Sequence, residues 1–550
     1  MKRIVRLTII LIIALYLLMA CSKKEDKEMQ SVPETDQVTL IEDKKKHSDT
    51  PLEEERMDIQ IWTVNDLKYM DEENHMTNYL EAKYQVTIEY LPRPVSDADW
   101  GVKVRLDLSS GNPPDHFSDV TPQDYEKYFN QGIIREIPED DINIYAADYM
   151  AWITQHLGEC PFQNVRDSEG KIFAMPKPWT PASSARVLAY RKDWAENVGV
   201  TTAPRDLVEL EELFIKLSKD DPDGNNQDDT YAITASGVHV DRLMESFGFV
   251  FGAYNVYPGI FTVNSGRVIR GELEVGAKEA LTTLNRWYEM GLIDPDFMVN
   301  KPVNFDEAIY TGKAAGGVWS WYQFVPEGVF HGGKYYEYFN GKVEFEILEA
   351  PVGPDGYSGY IEPSPYLNVG LIFFNHVSDN QLKKYLQIFN DGAFDLETHL
   401  NIQRGIEGVT YKKVTDVHGE VFYEWLPPYD TKEARYEFGT GGLATIGTWW
   451  NDYDFQEPFI VAPEFREMNK ELSTRSAGRY DELITISKPI YNEYKEKLDQ
   501  LLAENYIEFI VGLRPLDEYD AFVEEYKAAG ADKIMEEAQA LYDQFNKIGN

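Results

Sequence analysis

Residues 219 to 230 read KDDPDGNNQDDT, and Asp221, Asp223, Asn225, Gln227 and Asp229 recur there at every second position. Oxygen donors at alternate loop positions can wrap one hard cation, with a backbone carbonyl serving at one of them. Gly224 eases the turn. Ca²⁺ meets these demands, since it takes six to eight oxygens at about 2.3–2.6 Å, whereas Mg²⁺ prefers a tighter octahedron and keeps its waters. The cation would be structural, because the acidic loop needs neutralising and no open position for a substrate is implied. The bidentate Glu that closes an EF-hand at its twelfth position is missing, and Thr230 stands at the loop's end. A solvated acidic turn after a helix is the alternative.

A second set of residues suits ligand binding. Trp62, Trp179, Trp319, Trp321, Trp449 and Trp450 lie beside turns or small residues, in strings such as PKPWTP, GGVWSWY and GTWWND. Aromatic faces next to polar loop residues make platforms for sugar rings, and a few oriented polar groups between apolar walls make a pocket. Trp62 falls near the end of the first strand, where open α/β sheets bind ligands. Core packing is the alternative for each tryptophan. Arg186 could meet a carboxylate or sulfate on a ligand, or form an ordinary salt bridge. Tyr190 and Tyr322 are further candidates.

Catalytic signatures are sparse. The nine histidines are scattered and form no zinc spacing with cysteine. There is no G-x-S-x-G elbow and no P-loop. With 94 carboxylates, acidic pairs are unavoidable, and a sequence cannot fix the facing separation a glycosidase needs. The formal charge of -41, with no long basic block in the mature chain, argues against nucleic acid as a partner.

These residues need scaffolding, and 550 residues allow about three domain-sized units. The chain opens MKRIVRLTIILIIALYLLMAC. Lys2, Arg3 and Arg6 precede an apolar run from Leu7 to Ala20, the profile of a secretory signal and too short for a spanning helix. If Cys21 is modified, Cys160 has no intramolecular partner for a disulfide. Residues 21–56 are almost wholly polar and read as a flexible spacer.

From Met57 the pattern alternates strand and helix. Ile59 to Val64 and Gln85 to Tyr90 read as strands. Trp100 to Ser110 reads as a helix stopped by Gly111-Asn112-Pro113-Pro114. This order predicts an α/β lobe with a mostly parallel sheet. Further helices are predicted over 206–219, 276–290, 380–389, 484–509, 517–526 and 531–545, which supports two α/β lobes.

Several ordered segments resemble one family. They are LDLSSGNPPD (106–115), KIFAMP (171–176), YRKDW (190–194), GLIDPDF (291–297), TGKAAGGVW (311–319), GLRPL (512–516) and AGAD (529–532). Leu18-Met19-Ala20-Cys21 resembles the lipobox of bacterial lipoproteins. Together they resemble the lipid-anchored extracellular solute-binding proteins of ABC importers, family 1, the sugar-binding class. The nearest likeness is to large alginate-oligosaccharide-binding and LipO-type members.

The resemblance implies a periplasmic-binding-protein-like α/β fold of type II, as in maltose-binding proteins, with two lobes joined by crossing hinge segments. It implies a signal peptide at 1–20 and lipidation of Cys21. One lobe would take 57–176 and 368–438, the other 177–367 and 439–550. An oligosaccharide would bind between them near Trp62, Asp66, Trp179, Arg186, Trp319, Trp321, Tyr322, Trp449 and Trp450. It implies Ca²⁺ at Asp221, Asp223, Asn225 and Asp229 through side chains and at Gln227 through its carbonyl; Thr230 departs from the usual Glu. Expected partners are the permease subunits and, through the lipid, the outer face of the membrane. The protein would be a monomer and not an enzyme. A peptide binder, a sensor-type paralog and a carbohydrate-active enzyme are the competing readings.

Overall fold

The computed structural model describes residues 56–548, apart from 64–68, 70–73, 95–96, 119, 158–161, 163–164, 168, 178–184, 326–333, 363–369, 442–452, 461–462, 475–477, 484–485 and 487. The signal, the lipobox cysteine and the spacer therefore lie outside the described residues, as do Asp66, Cys160, Trp179, Trp449 and Trp450. No described helix is long and apolar enough to cross a membrane.

Strand β1 (Met57–Thr63) buries Ile59, Ile61 and Trp62 and pairs in parallel with β2 (Val86–Pro92). The helix His75–Tyr84 connects them. Its N-cap, Asn74, accepts the Thr77 N–H at 3.2 Å and donates through Nδ2 to the Tyr69 carbonyl at 2.7 Å. Asn74→Ala is expected to cost about 1–2 kcal/mol, read from urea midpoints, with the m-value unchanged. The helix Asp97–Ser110 ends at Gly111, whose φ of 81° suits only a residue without Cβ. Asn112 N–H there reaches back to the Asp107 carbonyl at 3.0 Å, closing the helix where the sequence predicts a stop.

The chain then gives β3 (His116–Phe117) and leaves for a second body. Its sheet has the order β5-β8-β4-β9, built from β4 (Arg186–Arg191), β5 (Tyr231–Thr234), β8 (Ala314–Ser320) and β9 (Phe345–Leu348). Between β5 and β8 stands the hairpin β6 (Phe261–Asn264) and β7 (Arg267–Arg270). The AAGGVW string fills the centre. A Cβ on Gly316 would stand 1.9 Å from the Ala189 carbonyl oxygen, so only glycine lets β8 approach β4.

β10 (Tyr360–Ile361) leads out of this body. The chain then re-enters the first as β11 (Ile372–Phe373), antiparallel to β3. The expectation of a mostly parallel first sheet therefore holds for β1 and β2 but not for β11, which returns from the opposite direction. The hairpin β12 (Tyr411–Thr415) and β13 (Val421–Trp425) follows. Finally β14 (Gly478–Arg479) pairs in parallel with β10.

The buried apolar residues divide accordingly. One core joins Ile59, Trp100, Phe117 and Ile172 to Ile372, Leu386 and Ile402. Another joins Leu188, Phe214, Phe249 and Trp287 to Leu502, Tyr506 and Ile534. The helix Pro489–Ile510 is central to the latter. It starts later than its periodicity suggests, because Pro489 disfavours helical geometry at Lys488 (φ -128°, ψ 79°).

The recurring segments prove to be scaffold. In GLIDPDF, the buried Asp294 accepts from Thr234 Oγ1 at 2.8 Å, and Lys313 of TGKAAGGVW sits 2.9 Å away. In YRKDW, Arg191 Nε donates to Asp193 at 2.7 Å and its guanidinium lies 4.8 Å from the Trp194 ring centroid.

Candidate functional site

The candidates Arg186, Trp319, Trp321 and Tyr322 come together at one end of the second sheet. β4 begins there and β8 ends there, with Arg186 paired to Ser320 across the antiparallel ladder.

Arg186 is buried. Its Nε donates to Glu245 Oε2 at 2.9 Å, its Nη1 donates to Ser320 Oγ, and its backbone N–H donates to Glu362 Oε2 at 2.7 Å. Arg242 Nη1 reaches the same Glu245 oxygen at 2.9 Å. Burial alone would lower the Arg186 guanidinium, but Glu245, Tyr322 and Glu362 outweigh it and hold it above its ordinary value. The charge that sequence reading offered to a ligand is thus engaged by the protein.

Trp319 is partly exposed. It stacks on Phe305 at 5.1 Å and 26°, with the Arg242 and Arg186 guanidiniums 5.2 and 5.8 Å from its centroid. Trp321 is wholly buried, edge-on to the partly exposed Tyr322 at 5.9 Å. Tyr190 is buried within β4. Trp62 is wholly buried in the other core, its Nε1 donating to the His116 carbonyl at 2.9 Å and its ring edge-on to Trp100 at 5.4 Å. Trp62 and Trp321 are therefore core residues, and Trp319 and Tyr322 are the described candidates that stay partly exposed. Glu245, Arg242 and Glu362, which surround Arg186, were not singled out from sequence. The only local signal is the i, i+3 spacing of Arg242 and Glu245, common on any helix face.

The acidic loop follows the helix Leu207–Lys219. Asp221 and Asn226 take positive φ (51° and 61°), as does Gly224 (72°). Asn225 Nδ2 donates to Asp223 at 2.9 Å and to Asp229 at 3.1 Å, so an amide N–H lies between the two carboxylates. Asp221 Oδ2 accepts the Asn226 N–H at 3.0 Å, while Oδ1 is buried with no hydrogen-bond partner. Thr230 is buried and donates to the Leu217 carbonyl at 2.9 Å, so it anchors the loop to its helix. Among the described residues no three His, Cys, Asp or Glu side chains converge closely enough to hold a metal. The orphaned Asp221 oxygen and the paired carboxylates nevertheless supply a suitable donor set, given rotation of the Asn225 amide.

No protein-family model matches the chain. Lipoprotein LipO of Bacillus subtilis (strain 168) is 24% identical over 362 residues, spanning 64% of this chain and 68% of LipO. The polygalacturonan/rhamnogalacturonan-binding protein YtcQ of the same organism is 22% identical over 469 residues, spanning 82% and 84%. Among solved structures, the ABC-transporter substrate-binding protein FusA of S. pneumoniae, in complex with kestose, superposes with a TM-score of 0.66. It is 16% identical, and the alignment covers 90% of this chain and 99% of FusA. An EF-hand mutant of FusA superposes with a TM-score of 0.65. The two-domain, periplasmic-binding-protein-like α/β fold is therefore shared across nearly the whole described chain.

Proposed function

We propose that this chain, an extracellular solute-binding protein of the ABC-importer type in fold and in sequence likeness, captures an oligosaccharide between its two lobes and hands it to the permease. The observation that carries this is the agreement in fold over 90% of the chain with a protein holding kestose. The name of YtcQ points to the same ligand class. No bond is broken in this role. A closed, loaded state selected over an open one is what the permease would read.

The lobes would be 57–176 with 368–438, and 177–367 with 439–550, in the type II arrangement. The division of the buried cores supports this. The helix Tyr453–Ile460 is the exception, since Phe455 and Phe459 pack on His399 at 5.0 and 4.7 Å and Phe459 stacks on Tyr423 at 4.9 Å. The last crossing would therefore follow residue 460. Trp319 and Tyr322 would line the cleft, with Asp66, Trp179, Trp449 and Trp450 completing it. Arg186, Trp62 and Trp321 would position the surface. Cys21, lipidated, would hold the assembly beside the permease as a single copy.

An oligosaccharide panel in scanning fluorimetry, with sugar composition checked afterwards, tests the role. Saturable stabilisation without product is expected. Turnover of the sugar, or stabilisation by peptides alone, would reject it.

The acidic loop would hold one Ca²⁺ through Asp221, Asp223, Asn225, Asp229 and the Gln227 carbonyl. The cation would supply only charge neutralisation. The burial of an unpartnered Asp221 oxygen supports this, as does the description of a FusA variant as an EF-hand mutant. After chelation, returning Ca²⁺ at about 100 times Kd should add about 2.7 kcal/mol, or roughly 5–10 °C in Tm for a lobe of this size. Asp221→Ala should remove that shift. No shift in the unaltered protein would reject the site.

A further inference from the structure

Arg404 follows the helix Leu396–Gln403 and lies against the β12–β13 hairpin. Its Cζ is 4.4 Å from the ring centroid of Trp425. Arg435, from the helix Lys432–Phe438, places its Cζ 4.9 Å from the same ring. Two guanidiniums thus share one indole. Among the described residues the Arg404 side chain has no ion pair and no hydrogen bond, and its Nε is shut off from water. The adjacent Gln403 Nε2 is also buried without a partner. Arg404 is partly buried, whereas the buried Arg186 and Arg270 are neutralised by Glu245 and Glu272.

A guanidinium partly withdrawn from water, with its outer nitrogens still open, gains more from an anion than a fully solvated one does. Burial, and then repulsion from Arg435, push the Arg404 guanidinium down to about 9. The indole offsets part of this through its π face, and the carbonyl end of the preceding helix offsets a little more. Neither supplies the planar pair of acceptors that a guanidinium fork fits. The stack also stands close to the first strand's exit. Tyr436, next to Arg435, meets Tyr69 edge-on at 5.5 Å in the loop after β1.

We propose that Arg404, flanked by Arg435 and Trp425, is the subsite for the carboxylate of a uronate unit within the captured sugar. This rests on the oligosaccharide reading above. The outer nitrogens of the fork take the carboxylate through parallel N–H bonds, and the indole holds the guanidinium in plane. The chain's acidity repels anionic sugars at long range, and Arg404 reverses the sign locally.

Titration calorimetry of the full mature chain tests this with trigalacturonate, trimannuronate, the methyl esters of both, and neutral galactotriose and mannotriose. At least one acid should bind about ten-fold or more tighter than its ester, since only the acid offers a charged acceptor. Arg404→Gln should close that gap, and Arg404→Lys should restore part of it. Equal affinity for acid and ester, or a gap that Arg404→Gln leaves intact, overturns the subsite. Binding of neutral trisaccharides alone overturns it while oligosaccharide capture stands. No binding of any of these sugars overturns the subsite, and silence across the wider panel overturns capture as well. Free galacturonate or acetate binding as tightly as the trisaccharide would mark a simple carboxylate site and overturn the sugar assignment. If Arg404→Gln does not fold, the acid-ester gap in the unaltered chain decides.

Discussion

Acidification from pH 7 to pH 5 is expected to weaken the first lobe by about 2 kcal/mol for each of His116 and His399. Both are buried, and burial pushes each imidazole down to about 4 despite opposition from a carbonyl partner. His116 Nε2 lies 3.1 Å from the Gln60 carbonyl, and His399 Nδ1 lies 2.9 Å from that of Gly392. Their folded values lie below the unfolded value of about 6.5, so below that pH the unfolded chain binds more protons. Stability therefore falls as pH drops through 6.5 and stops falling near 4, where the loss reaches about 3 kcal/mol per residue. Asp391 works in the opposite sense: burial raises its carboxyl, so some stability returns when it protonates. Urea midpoints at pH 7 and pH 5, with selectively labelled histidine followed by NMR, check this. Imidazole signals from 116 and 399 that titrate near pH 6.5 would contradict it.

Glu245→Ala should be the most damaging single change at the candidate site. It leaves the buried Arg186 and its neighbour Arg242 without their shared carboxylate. Breaking a buried ion pair from one side costs about 3–5 kcal/mol, because the remaining charge stays desolvated. Ser320→Ala, which removes one neutral acceptor, should cost only about 1 kcal/mol. Denaturant unfolding of both variants gives the comparison. Glu245→Ala should also weaken sugar binding by displacing Trp319, whose ring lies near both guanidiniums. A loss under about 1 kcal/mol would mean that Glu362 neutralises Arg186 unaided.

What was legible in the sequence was periodicity and punctuation. The helix stop at Gly111 and the first strand, read as Ile59 to Val64 and found as Met57–Thr63, both follow from local chemistry. Local patterns carry no direction for a strand that returns after some 200 residues, so the antiparallel entry of β11 could not be read. The site was only half readable for a related reason. A tryptophan beside a turn looks the same whether it ends in a core, as Trp62 and Trp321 do, or partly exposed, as Trp319 does. Arg186 and Arg404 are alike as letters. Only the placement of Glu245 beside one, and of Trp425 beside the other, separates a satisfied charge from an unsatisfied one.

The late closure of the second core sets an order of events for an exported chain. Segments that close the second core, from Leu498 to Ala538, are made last and reach across to Phe249, Leu284 and Trp287. A chain that emerges amino end first can complete its first core by about residue 460, while the lobe begun at β4 waits, apolar side outward, for the final helix. Premature termination a few dozen residues early would therefore release a protein with one finished half and one sticky half. The helices Pro489–Ile510 and Asp532–Ile548 act as the latch of the second core.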